Sequence, residues 1–164
     1  MNEMTGPDRQ ITLRFLAEPV HVNFGGKVHG GVAMKWLDQA GYVCATGWAG
    51  RYCVTRFVGD INFDQPIAVG DLVQVDAKVI RTGRTSIHVL VDLYSCDPHR
   101  QSDYVRSVRC IMVFVAVDGD GRPTEVPAWT PETNEDMQLK DYADRVMELQ
   151  RLNQKELGAL CGAT

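Results

Sequence analysis

What the sequence is short of narrows it first. No uninterrupted apolar run approaches the length of about 18 residues that a spanning helix needs, and the opening stretch MNEMTGPDRQ holds no apolar segment of the kind a secretory leader carries. A cytoplasmic protein that does not enter a membrane is the expectation. There is no cationic excess either: the formal net charge is -4, whereas general nucleic-acid binding shows as a basic surplus gathered on one face. Nucleic acid is not an expected partner. The cysteines, Cys44, Cys53, Cys96, Cys110 and Cys161, are odd in number, scattered, and never arranged as C-x-x-C or beside a histidine at ligand spacing. They read as reduced, mostly buried thiols, with no metal site among them.

What is present fits one globular domain. An apolar share of 45% and a charged share of 23% are ordinary for a soluble fold, and 164 residues are enough to bury a real core. Residues 1–10 are expected to be a flexible start, 11–130 the domain proper, and 131–164 a C-terminal helix and tail. ITLRFLAEP alternates and stops at a proline, as a short strand does. HVNFGGKVHGG then places four glycines between Asn23 and Gly31, a density that marks close backbone approach. It feeds VAMKWLDQAGYVCATG, in which Ala33, Trp36, Leu37, Ala40 and Cys44 fall on one helical face while Asp38 sits off its centre, beside Met34 and Gly41.

Four segments of period two follow without another helix: YCVTRFVGDINF, DLVQVDAKVIR, TSIHVLVDLYS and YVRSVRCIMVFVAV. The turn between the second and third, Arg81 to Arg84, is short enough for a hairpin, and DGDGRP closes the last as a polar turn rather than a calcium loop. One long helix with an antiparallel sheet of about five strands predicts an α+β layer arrangement, the sheet curling around the helix. Past WTPETNEDM, Thr133 is placed to cap a further helix with Glu135 and Asp136 in its first turn. Leu139, Tyr142, Val146 and Leu149 stripe that helix, which needs a surface in its own sheet or in a neighbouring subunit. From about Leu157 the tail is expected to fray.

The pattern that carries chemistry is Asn23-x-x-Gly26-x-x-His29-Gly30-Gly31, followed on the helix by Asp38. A glycine loop opening a helix offers unpaired backbone N–H groups and partial positive charge, suited to a carbonyl oxygen that becomes negative during reaction. Gly31 N–H is the candidate donor. Asp38 stands roughly 11 Å further along the helix axis at 1.5 Å per residue, so only a substrate or a second subunit can bridge the two.

Asn23-x-x-Gly-x-x-His29-Gly30-Gly31 with the helical acid, then DINFDQPIAVGDLV, VIRTGRTSIHVLVDLY and VFVAVDGDGRPTEVP, resembles in order the acyl-CoA thioesterase branch of the hotdog superfamily. The resemblance implies a sheet wrapped around the central helix, two subunits joined edge to edge, and active sites between them. The homodimer would be the catalytic unit and could assemble further into a tetramer or hexamer. It implies hydrolysis of acyl-CoA to free acid and coenzyme A, with Asp38 as general base or nucleophile and Asn23 supplied by the facing subunit. His29 is preferred as a structural residue over a catalytic one. Coenzyme A would lie against the basic turn Arg81, Gly83, Arg84, Thr85 and Ser86, where guanidinium forks and hydroxyls suit phosphates. A thioester carbonyl needs only activated water and a stabilised oxyanion, so no cofactor beyond the coenzyme A of the substrate is expected. An aromatic acyl-CoA thioesterase, of the hydroxybenzoyl or phenylacetyl type, and a non-catalytic acyl-CoA binder remain open. A hotdog hydratase does not, because Asp38 has no histidine partner at that branch's spacing.

Overall fold

The structure, a computed structural model, describes residues 8–99 and 103–160. In chain order it contains β1 (Gln10–Leu16), a single 3-10 turn (Pro19–His21), α1 (Gly30–Ala49), β2 (Cys53–Phe63), β3 (Leu72–Thr82), β4 (Ser86–Cys96), β5 (Val105–Ala116) and α2 (Asn134–Leu160). The strands form one sheet in the order β1-β3-β4-β5-β2, with every neighbouring pair antiparallel. This is the expected α+β hotdog arrangement, a sheet around a long central helix with a second helix added at the C-terminal end.

The central helix starts and stops for local reasons. His29 caps it, its ring Nδ1 accepting the Gly31 N–H at 3.1 Å, and Gly50 ends it in the left-handed region at φ 64, returning its N–H to Thr46. The buried face of α1 carries Ala33, Ala40, Gly41 and Ala45 among larger Trp36, Leu37 and Trp48. Those small residues let the sheet approach closely. Against them pack Val73, Val75, Val79, Ile87, Val89, Val91, Leu93, Cys110, Met112 and Phe114, all 2% exposed or less.

The strands expected to alternate do so only in part. β3 alternates, but β4 is buried at seven consecutive positions, 87–93. The reason is α2, which covers the other side of the sheet. Leu139, Tyr142 and Val146 pack with Ala143 against Ile80, Leu90, Ile111 and Phe57, so the amphipathic stripe rests on its own sheet. Leu149, from the same stripe, stays 45% exposed. A strand covered on both faces reads as a continuous apolar run.

Thr133 caps α2 as expected, its Oγ1 accepting from Asp136 N–H at 3.1 Å, while the Asp136 carboxylate accepts in return from the Glu132 and Thr133 N–H groups. Arg9 adds an ion pair to Asp136 at 2.6 Å and stacks over Trp129. Together these donors, Arg9 foremost, hold the Asp136 carboxyl at about 2. Arg9 and Gln10, assigned by the sequence to a flexible start, are thus parts of the fold; residues 1–7 lie outside the described residues. The helix runs on to Leu160 where fraying was expected from Leu157, and the rest of that tail, Cys161 included, is again outside them. Cys44, Cys53 and Cys110 are buried free thiols and Cys96 is half-buried. Burial pushes the thiols of Cys44 and Cys110 up to about 12 and raises that of Cys53.

Candidate active site

Asp38 is half-buried on α1, and its carboxylate accepts a hydrogen bond from Thr55 Oγ1 at 2.7 Å. Thr55 reaches it because of an irregularity in β2. Cys53 and Thr55 face α1, and unbroken alternation would turn Phe57 the same way. Instead the register with β5 shifts between Thr55 and Phe57, an extra residue of the bulge type that re-aims the side chains beyond it. Phe57 turns outward to pack near α2, while Val58 and later Ile61 turn inward. The result is a cavity of about 380 Å³ walled by Gly31, Met34, Lys35, Leu37 and Asp38 of α1, Val58 and Ile61 of β2, and Met112 of β5. Thr55 was missed in the sequence; the signal for it was a hydroxyl at an inward strand position two residues after Cys53.

Of the expected site residues, Gly31 and Asp38 share this cavity and Asn23 and His29 do not line it. Asn23 is fixed by its own loop: Oδ1 accepts from the Gly25 N–H at 2.8 Å and the Lys27 N–H at 3.2 Å. Its amide nitrogen has no partner among the described residues, so Asn23 is left as a donor. His29 serves as the cap of α1, and the Gly31 N–H expected for an oxyanion is spent on that ring. A substrate oxygen would have to take this hydrogen bond over.

The basic turn is placed apart from the cavity, at the β3–β4 hairpin. There Gly83 N–H donates to Ser86 O at 2.8 Å. Arg81 is turned inward, its Nε donating to Asp144 of α2 at 2.5 Å and its Nη1 to His88 Nε2 at 2.7 Å. Arg84 is the solvent-facing cation, loosely paired with Glu125 at 3.6 Å. No group of three or more acidic, histidine or cysteine side chains suited to a metal exists among the described residues. No described helix is long and apolar enough to cross a membrane.

His88, under Arg81, is 3% exposed, and its Nδ1 has no partner among the described residues. Burial first, then the Arg81 charge, lowers its pKa from 6.5 to about 4. A histidine held neutral in the folded state contributes stability that is complete above its unfolded pKa and lost as pH falls from there through the folded one. Unfolding free energy is therefore expected to drop between about pH 6.5 and 4, by on the order of 3 kcal/mol in full. His88→Gln, which still offers Arg81 an acceptor, should flatten that segment of a urea-denaturation pH series.

Residues 25–102 match the Thioesterase superfamily. An uncharacterized acyl-CoA thioester hydrolase of Zymomonas mobilis is 32% identical over 144 residues, covering 88% of this chain and 93% of that protein. The chain belongs to the acyl-CoA thioester hydrolase family. Solved relatives share its shape over most of the chain. A hexameric acyl-CoA thioesterase in its apo form superposes with a TM-score of 0.85 at 26% identity, over 92% of this chain and 96% of that one. The acyl-CoA hydrolase of Staphylococcus aureus, solved with butyryl coenzyme A, coenzyme A and coenzyme A disulfide, gives 0.82 at 25% identity over 93% of each chain. Both likenesses cover more than nine-tenths of this chain.

Proposed function

We propose that this hydrolase is a cytoplasmic enzyme that cleaves the thioester of acyl-CoA to free acid and coenzyme A, with Asp38 as general base, and that it works as a homodimer or a larger assembly of dimers. The observation that carries the reading is the Asp38 carboxylate, tied at Oδ1 by Thr55 and lining a largely apolar cavity beside the first turns of α1. The carboxylate takes a proton from water. The water oxygen bonds to the acyl carbon, the carbon–sulfur bond breaks, and the thiolate of coenzyme A receives the proton. Negative charge gathers on the carbonyl oxygen in between, where the first-turn N–H of Gly31 and the partial charge of the helix start stabilise it.

Asn23 enters from the facing subunit, its Nδ2 donating to the carbonyl or to the water. Its Oδ1 is already held by two backbone N–H groups, and that pre-sets the amide as a donor. Coenzyme A phosphates rest near Arg84, Thr85 and Ser86 at the hairpin. Arg81 is committed to Asp144 and His88 and contributes mainly by holding that turn. No cofactor beyond the coenzyme A of the substrate takes part. The dimeric site is supported by the exposure of the Asn23 loop, and higher assembly by the hexameric relative.

A mixing experiment tests both parts of this reading. Asn23→Ala and Asp38→Asn protomers, each nearly inactive alone in a thiol-release assay with acyl-CoA, are unfolded together and refolded. Random pairing in a two-fold dimer gives one intact composite site in half the dimers, so activity should return to about a quarter of wild type. No recovery, with both variants folded and paired, would count against a site shared between subunits.

A further inference from the structure

The cavity beside Asp38 abuts the packed core. Among the described residues its walls are Met34 and Leu37 from the helix, Val58 and Ile61 from β2, and Met112 from β5, with Lys35 the one cation and no aromatic ring. Met112 is 2% exposed and pairs across the sheet with Val58, another wall residue. A glycine lets Met112 lie close to the helix. Gly41 stands three residues after Asp38 on α1, and a Cβ there would lie 2.9 Å from two atoms of the Phe114 ring and 3.3 Å from the Met112 sulfur. The Phe114 ring therefore packs directly on the helix backbone with Met112 alongside. Met112 is thus the side of the cavity that abuts the packed core, with the Phe114 ring beside it.

We propose that Met112 is the floor of the acyl pocket, that its depth selects short straight-chain acyl groups, and that Gly41 sets where the floor stands. The inference rests on Asp38 being the hydrolytic carboxylate, since the acyl chain must start there. Up to the floor, every added methylene leaves water for apolar wall and improves binding. Beyond it, a longer chain has to displace Met112 or Phe114 from a close-packed core, which is unfavourable. A flexible thioether and branched aliphatic walls suit a slim chain, and nothing there offers a flat ring a stacking partner.

The test is the ratio of kcat/KM values across straight-chain acyl-CoA substrates from acetyl to palmitoyl, measured for wild type, Met112→Ala, Met112→Val, Gly41→Ala and Asp38→Asn. Wild type should peak between butyryl and hexanoyl. Met112→Ala should move the peak to longer chains and raise octanoyl relative to butyryl by about tenfold, a size typical of pocket fit by single methylenes. Met112→Val should move it the same way by less, and serves if the alanine variant does not fold. Gly41→Ala should move the peak toward acetyl, because the new methyl pushes Phe114 and Met112 into the cavity. A wild-type peak at long chains, or Met112 variants whose profile parallels wild type with only a lower melting temperature, overturns the floor. Absence of thiol release by wild type, or undiminished turnover by Asp38→Asn, overturns instead the hydrolytic reading beneath it.

Discussion

Replacing Asp38 by Asn is expected to leave the protein folded and lower kcat for acyl-CoA hydrolysis by about a thousandfold, within the roughly 10²–10⁴-fold that a positioned general base supplies. The amide keeps the size of the carboxylate and can still accept from Thr55 Oγ1, so nothing in the packing of α1 has reason to change. What is lost is the oxygen able to take a proton from water. Thr55→Val should fall between this variant and wild type, since it frees the carboxylate to rotate without removing it. Thiol release at saturating substrate, with a melting curve for each variant, checks the prediction. A melting temperature close to wild type with turnover above a tenth of wild type would exclude Asp38 as the base.

The second large effect concerns stability, and it lies on the opposite side of the sheet. Asp92 on β4 and Arg109 on β5 sit directly opposite each other, and the guanidinium grips the carboxylate through two hydrogen bonds of 2.7 and 2.8 Å. Asp92 is 7% exposed, so Arg109→Met leaves a buried carboxylate without its counter-charge. The expected cost is about 3 kcal/mol, the low end for a broken buried pair because Arg109 itself reaches water. The double variant Asp92→Leu/Arg109→Met should recover most of that loss, since neither side chain then needs a partner. Urea-denaturation midpoints of the two variants decide the matter. Equal losses in both would mean that packing rather than charge is what the position requires.

These two sites differ in how plainly the chain advertises them. The strands were legible because their alternation is local: DLVQVDAKVIR anticipates Leu72–Thr82, and TSIHVLVDLYS anticipates Ser86–Cys96, each to within one residue. The helix carrying Asp38 was legible for the same reason, through the spacing of Ala33, Trp36, Leu37, Ala40 and Cys44. Thr55 was not, because its meeting with Asp38 depends on the shift in pairing between β2 and β5, a property of two strands that neither shows alone. The continuous burial of β4 likewise depends on α2, about 40 residues later in the chain. Arg81 illustrates a further limit. A basic turn beside hydroxyls has the composition of a phosphate site, but a long side chain takes the nearest good acceptor, and here that is Asp144, which only the folded chain brings within reach.

The buried sulfurs have a consequence for an enzyme whose product is itself a thiol. Only the deprotonated form of a cysteine attacks a thioester or exchanges with a disulfide, and near neutral pH the Cys44 and Cys110 side chains, at about 12, keep almost none of it. On the proposed mechanism, an acyl group held beside α1 therefore meets these two thiols almost wholly protonated. Those two cysteines are thereby kept from taking up the acyl group and from exchanging with an oxidised, disulfide form of coenzyme A.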